Sequence, residues 1–307
     1  MDTTQTSLPA DHNERMNRAL LSLDGLSVGD GFGECFFASA QTIERRLELR
    51  DPPRPRWLVT DDTIMALSIV RCLKRHGFID QDELASAFAD EYTQNPNRGY
   101  GGMARQILNA IGEGFSWKEA SRRAFGGQGS CGNGGAMRSA PIGAYFADDI
   151  DRLIYEAKSS AEITHAHPDG KTGAVAVALS AAWMAQPNQD LTDQSYDLIQ
   201  FVLDHMPRTE TYHELLKALE VPFETEPSTA ARILGNGTRV LSSDTVPFCL
   251  WCSARHPKSY TDALWATVSG LGDRDTTCAI VGGIVALSAG RESIPHEWLA
   301  AREPIHL

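Results

Sequence analysis

The sequence predicts an all-α fold, a single compact multi-helix domain over residues 1–307. Three observations carry this. Helix signals recur along the chain, while almost nothing alternates with the period of two that a half-buried strand shows. Three stretches of helical length are apolar nearly all round, and each follows a polar cluster. No linker-like composition break and no internal repeat divides the chain.

The elements follow in order. Residues 1–15 are polar and mixed in charge, and are expected to be flexible. They lack the basic start and apolar core of a signal peptide. Gly29-Asp30-Gly31-Phe32-Gly33 is expected at a helix end. Asp61 to Arg75 reads as a buried helix, with Ile64 to Val70 nearly all apolar and a basic last turn stopped by Gly77. Asp80 can cap a helix whose face carries Leu84, Phe88 and Tyr92. Ser116-Trp117-Lys118-Glu119 has the spacing of a capping box. A second buried helix runs from about Thr172 to Ala185. Thr192 can cap another that holds Ile199, Phe201 and Val202. The 205–230 stretch, with Pro207, Pro222 and Pro227, reads as surface connection. Ser259 to Ser269 carries Leu264, Trp265 and Val268 on one more helix. The third buried helix, Thr276 to Ala289, is rich in small residues, so neighbouring backbones can approach it closely.

Composition narrows the function. Hydrophobic residues make up 42% and charged residues 22%, the balance of an ordinary globular enzyme. A formal net charge of −12 repels phosphate backbones, and no Lys/Arg cluster stands out, so stable nucleic-acid binding is disfavoured. No apolar run reaches the ~20 residues that span a bilayer. The six cysteines are scattered, and Cys249-Leu250-Trp251-Cys252 finds no second ligand pair for zinc, so buried thiols in a reduced cytoplasmic protein are expected.

The three buried helices begin at Thr60-Asp61-Asp62, at His165-Ala166-His167-Pro168, and at Asp273-Arg274-Asp275-Thr276. Taken singly, acids in a first helical turn complement the dipole and need no other role. Taken together, the two acidic clusters suggest one polar site in a helical bundle. Four carboxylates in a small volume cannot all stay ionised without cations. The donors are all oxygen: Asp61, Asp62, Asp273, Asp275 and the Thr60 and Thr276 hydroxyls. That set suits Mg²⁺ rather than zinc, and two ions fit four acids better than one.

Gly126 to Gly135 is dense in glycine, and Gly99-Tyr100-Gly101-Gly102 follows Arg98. Both can be flexible surface loops, or backbone N–H cradles for a pyrophosphate. Neither is a Walker motif or a dinucleotide fingerprint. His165 and His167, two apart, do not share a helix face, so at most one is expected to point into a site.

Five segments in this order resemble the motifs of the ADP-ribosylglycohydrolase family: Gly29–Gly33, Thr60-Asp61-Asp62-Thr63, Gly132-Asn133-Gly134-Gly135-Ala136-Met137-Arg138, Thr164-His165-Ala166-His167-Pro168, and Gly272–Thr276. The resemblance implies an all-α fold, a binuclear Mg²⁺ (or Mn²⁺) centre, and hydrolysis of the bond between ADP-ribose and an acceptor, either a protein or a small conjugate. It places the metals on Thr60, Asp61, Asp62, Asp273, Asp275 and Thr276. It implies substrate contacts from Asn133, Gly134, Gly135 and His165, with Gly99, Tyr100 and Gly101 as further candidates, and makes Met137 and Arg138 supports. Asp61 and Asp62 are the candidates for handling the proton of the attacking water, Asp62 first.

The chain departs from the family at one place. The position that usually carries a glutamate near the scissile bond is Phe37, and Glu34 is the nearest acid. Either Glu34 substitutes with shifted geometry or the chemistry proceeds without that acid. Two other readings follow: a protein that binds ADP-ribose or metal without turnover, and a hydrolase of a different ADP-ribosyl or nucleoside glycoside.

Overall fold

The computed structural model describes residues 8–186 and 195–307. Among them the chain forms sixteen α-helices and three short 3-10 turns, with no β-strand and only two isolated bridges, Trp57–Arg302 and Gly132–Leu241. The all-α class expected from the sequence holds. Buried apolar side chains from Met16 to Ala301 form one connected cluster, so the helices share one core.

Small residues set the central axis of that core. The helix His12–Glu34 lies antiparallel against the helix Arg274–Ala289. Glycines at 25, 29 and 33, one turn apart, face the partner backbone. A Cβ at Gly29 would sit 2.1 Å from the Cys278 carbonyl oxygen, and one at Gly33 would sit 2.1 Å from that of Arg274. No side chain fits there, so the two backbones meet as the small residues of the second helix suggested. This contact fixes the start of the Arg274 helix beside the last turns of the first helix, and so brings Asp275 towards Asp30.

The Asp61–His76 helix begins and ends as its sequence indicates. Thr60 caps it by accepting from the Asp62 amide at 3.3 Å, and Gly77 closes it with φ of 73°. The second buried helix is Pro168–Met184, starting four residues ahead of Thr172. Its start is moved by the His167 ring, which accepts from the Asp169 amide, and by Pro168, whose fixed φ suits a first helical position. The third buried helix starts at Arg274 rather than Thr276.

Other expectations are confirmed or corrected. Asp80 caps Gln81–Gln94 and accepts from Glu83 N at 3.0 Å, with Leu84, Phe88 and Tyr92 buried. Ser259 caps Tyr260–Ser269. Ser116 stands at the start of Trp117–Gly127, but its side chain makes no cap hydrogen bond, so the capping box does not form. Thr192 lies outside the described residues. The first helix begins at His12, inside the stretch 1–15 expected to be flexible. The 205–230 stretch is not plain surface connection: it carries Glu210–Leu216 and Pro227–Leu234, whose Thr211, Leu215, Ala230 and Leu234 are buried. Its prolines obscured this, yet Pro227 is itself at the start of a helix, where proline is tolerated.

Candidate functional site

The two acidic clusters meet. Thr276 Oγ1 lies 3.5 Å from Asp62 Oδ2, across 214 residues of sequence. Asp61, Asp62, Asp273, Asp275 and Thr276 line one cavity of about 500 Å³. Thr60 stands behind them, its hydroxyl 2.9 Å from Asp30 Oδ1 and 3.0 Å from Asp62 Oδ2.

Asp30 is the residue whose role sequence reasoning missed. It is fully buried and accepts from Thr60 N at 2.9 Å, from Thr63 N at 3.2 Å, and from the Thr60 and Thr63 hydroxyls. It therefore holds the turn that presents Asp61 and Asp62. The sequence did contain a signal: a carboxylate between helical glycines is useless for packing and must be satisfied.

Electrostatics in the cluster are unfavourable as they stand. Burial, then the charge of Asp275, pushes the Asp61 and Asp62 carboxyls well above the usual range. The same two causes push Asp273 up to about 7. Burial pushes Asp30 up to about 7 against the opposing hydrogen bond from Thr63. Among the described residues no Lys or Arg forms an ion pair with Asp61, Asp62, Asp273 or Asp275. Arg138, fully buried at the cavity wall, spends its fork on Met65 Sδ, Ser160 O and Thr164 Oγ1. Asp62 Oδ1 and Asp275 Oδ1 are buried with no hydrogen-bond partner. Orphaned oxygens of this kind call for a donor or a cation, and an all-oxygen donor set fits a hard divalent ion. Among the described residues no three His, Cys, Asp or Glu side chains converge closely enough as they stand to hold a metal ion between them.

The glycine-rich loop reaches the same cavity. Asn133 Nδ2 donates to Asp273 Oδ2 at 2.7 Å and lies 3.1 Å from Thr245 Oγ1. Gly99 packs against Asp61: a Cβ there would lie 3.0 Å from its Oδ1. Gly99, Gly101, Asn133, Gly134 and His165 all line the cavity. His165 Nδ1 is 2.7 Å from Thr164 Oγ1, and burial, then the charge of Arg138, push the ring down to about 3. His165 is thus a neutral imidazole at the cavity wall, while His167 turns away to cap the helix Pro168–Met184; only one of the two enters the site, as expected, but both precede the helix, so no helix face separates them.

Four candidates do not line the cavity. Thr60 is turned to Asp30. The Tyr100 ring is buried against Tyr92, centroids 5.0 Å apart. Gly135 packs under the loop against Gly170 and Ala161. Glu34 is half-buried at the end of its helix. Arg98 serves no phosphate: it pairs with Glu303 at 2.5 Å and donates to Val59 O. Phe37 is exposed, with the Arg274 guanidinium 4.5 Å from its ring centroid. The wall also contains Met103 from the first turn of Gly102–Gly112, Phe125 from the kinked end of Trp117–Gly127, and Arg239 to Leu241 from the turn before Ser242–Arg255, ordinary residues for which the sequence carried no signal. Cys249 and Cys252 are fully buried free thiols, as expected.

Comparison with known proteins shows the fold and the family. The chain is 30% identical to ADP-ribosylhydrolase ARH3 of Mus musculus over 78% of its length and 71% of the relative's. It is 25% identical to ADP-ribosyl-[dinitrogen reductase] glycohydrolase of Rhodospirillum rubrum, covering 92% and 90% of the two chains. A solved structure, an ADP-ribosylglycohydrolase-related protein complex, shares the fold with a TM-score of 0.63 at 22% identity over 95% of this chain and 94% of that one. The sequence model of the ADP-ribosylglycohydrolase family matches residues 11–305, and the chain belongs to that family.

Proposed function

We propose that this chain hydrolyses the glycosidic bond between ADP-ribose and an acceptor, in a reaction that depends on Mg²⁺ or Mn²⁺. The observation that carries the reading is the meeting of two remote acidic turns in one cavity, with Asp62 Oδ1 and Asp275 Oδ1 left without partners. Membership of the family supports the reaction class. The printed names of two relatives, a hydrolase and a glycohydrolase of ADP-ribosyl bonds, point the same way.

Asp61, Asp62, Asp273, Asp275 and Thr276 are the residues that would hold two ions, while Thr60, expected among the ligands, hydrogen-bonds Asp30 and Asp62 from behind them. Bound there, the ions would supply Lewis-acid positive charge and ease the ionisation of water. The chain's own residues do the rest. Gly99, Gly101 and the Asn133-Gly134 loop bind the nucleotide diphosphate through backbone amides. His165, neutral, contributes a hydrogen bond without adding charge. Water attacks the ribose C1 as the bond from C1 to the acceptor breaks; Asp62, with Asp61 as the alternative, takes the water's proton, and the acceptor leaves carrying the proton that the carboxyl gives back. Glu34 does not line the cavity, though burial and then the charge of Asp275 raise its carboxyl, and this scheme gives the proton to Asp62. The acceptor is an ADP-ribosylated protein or a small conjugate. Six free thiols favour a reducing compartment such as the cytoplasm. Among the described residues no helix is long and apolar enough to cross a membrane.

One observation favours a second reading. Phe37 holds the position of the family's glutamate, which is what a protein that binds ADP-ribose without cleaving it would show. Release of ADP-ribose from defined arginine- and serine-linked conjugates, with and without EDTA, in wild type and Asp62→Ala, decides between them. Turnover lost with EDTA and with the substitution supports hydrolysis. Tight ADP-ribose binding with no release from any conjugate rejects it.

A further inference from the structure

A basic cleft lies apart from the acidic cavity. It has a volume of about 600 Å³ and is lined by Gln41, Thr42, Arg45, Arg46 and Arg54 with a single acid, Asp51, over Cys35 and two prolines. The expectation that no Lys/Arg cluster exists is corrected here. Five arginines fall between positions 45 and 56, at 45, 46, 50, 54 and 56. Interleaved prolines and acids hid them from a search for a continuous run.

Two structural features turn these residues into a site. On the helix Ala40–Leu49, positions 41, 42, 45 and 46 share one face. Arg50 then ends the helix in the left-handed region, at φ of 47°, and the chain doubles back through Asp51-Pro52-Pro53-Arg54. That return forms the opposite wall. It is anchored because Pro53 is buried and its carbonyl accepts from Trp57 Nε1 at 2.9 Å. The concavity is therefore framed by a helix face and a proline-stiffened strap.

The charge is uncompensated. The lining carries three arginines against one aspartate. Arg50 is occupied, paired with Asp262 at 2.7 Å. Among the described residues no carboxylate lies within ion-pair distance of Arg45, Arg46, Arg54 or Arg56. The chain has 40 acids for 28 Lys and Arg, so arginines without an acid partner in a concave place stand against its composition. Guanidinium forks match phosphate oxygens bidentately, and the first turn of the helix, where Gln41 and Thr42 lie, adds the positive end of its dipole.

We propose that this cleft binds a phosphate-bearing small molecule, at a site distinct from the acidic cavity. The volume admits more than orthophosphate. Its floor is the segment that follows Glu34: Arg46 donates to the Cys35 carbonyl at 2.6 Å and its guanidinium stands 5.6 Å from the Phe36 ring centroid. An occupant that draws on Arg46 thus acts on the residues leading to Phe37.

Calorimetric titration of the full chain at low salt, with pyrophosphate in one arm and AMP in the other, tests this. Saturable binding is expected. It weakens about tenfold or more in Arg45→Ala/Arg54→Ala, weakens further with Arg54→Glu, and falls with added salt. Tighter binding of pyrophosphate names a free polyphosphate as the ligand; tighter binding of AMP names a nucleotide phosphate. Neither ligand binding, or binding that the arginine variants leave intact, overturns the proposal. So does binding abolished by Asn133→Ala instead, because that assigns the ligand to the acidic cavity.

Discussion

Asn133 donates its side-chain amide to Asp273 at 2.7 Å, joining the glycine-rich loop to the acidic turn 140 residues later. The amide is held a second time by Thr245. The loop that would bind a diphosphate and the turn that would hold cations are therefore one mechanical unit. A hydrogen bond to a charged carboxylate contributes about 1.5–3 kcal/mol. Asn133→Ala is expected to lower kcat/KM on an ADP-ribosyl conjugate by about 10- to 150-fold, that same range expressed as a rate ratio. Asn133→Asp is expected to be worse, because it sets a like charge against Asp273. An alanine variant with wild-type kcat/KM would show that the contact holds the fold and not the site.

The orphaned oxygens of Asp62 and Asp275 lead to a binding measurement that needs no substrate. A cation that binds only the folded chain stabilises it by about 2.7 kcal/mol at a hundred times its Kd. Mg²⁺ is expected to raise Tm in the wild type, with EDTA reversing the rise. Asp62→Ala and Asp275→Asn are expected to lose most of it. A Tm that ignores Mg²⁺ and Mn²⁺ alike would remove the basis for a metal-dependent reaction.

Gly29 tests whether the two central helices depend on backbone contact. Its substituted Cβ would collide with the Cys278 carbonyl oxygen at 2.1 Å, and backbone has little room to yield. Gly29→Ala is expected to destabilise by about 1–3 kcal/mol in urea denaturation. Gly112 sits in a helix where a Cβ meets nothing closer than 4.0 Å. Gly112→Ala is expected to be neutral or to stabilise by up to about 1 kcal/mol through the unfolded chain. Equal costs at both positions would contradict close packing at Gly29.

Helix class and the acidic pairing were legible because each has a local signature. Caps, apolar periodicity and a helix-ending Gly77 lie within a few residues of each other. Acids at two helix starts have a physical cost that suggests they meet. The rest depended on contacts remote in sequence. Nothing near Tyr100 tells that its ring packs on Tyr92 and leaves the cavity to its two glycine neighbours. Nothing near Arg98 announces Glu303, its partner 205 residues away. Asp30 was visible in its motif, but its task became clear only when Thr60 and Thr63 were seen to donate to it.

Glu34 is the acid that a count along the chain would nominate. Burial and then the charge of Asp275 raise its carboxyl, yet it does not line the cavity. Glu34→Gln is expected to change kcat by less than threefold, whereas Asp62→Asn lowers it by orders of magnitude. Side-by-side kcat values with one conjugate are sufficient, and a large loss in Glu34→Gln would restore it as the family's acid in a shifted place.

His165 gives the pH prediction. Folded, it is neutral with its pKa pushed down to about 3 by burial and by Arg138; unfolded, it titrates near 6.5. Between those values the unfolded chain binds the proton and the folded chain does not, so stability from this residue falls as pH drops through the window. The slope from one such group approaches about 1.4 kcal/mol per pH unit. His165→Gln removes the titration while keeping a polar side chain. Its unfolding free energy should therefore decline less steeply than that of wild type between pH 6.5 and 4.5, roughly the upper part of that window. The buried aspartates change stability in the opposite sense as pH falls, and subtracting the two profiles cancels them. Parallel urea-unfolding profiles for the two proteins would mean that His165 takes up its proton in the native state, and the neutral imidazole assigned to the cavity wall would have to be abandoned.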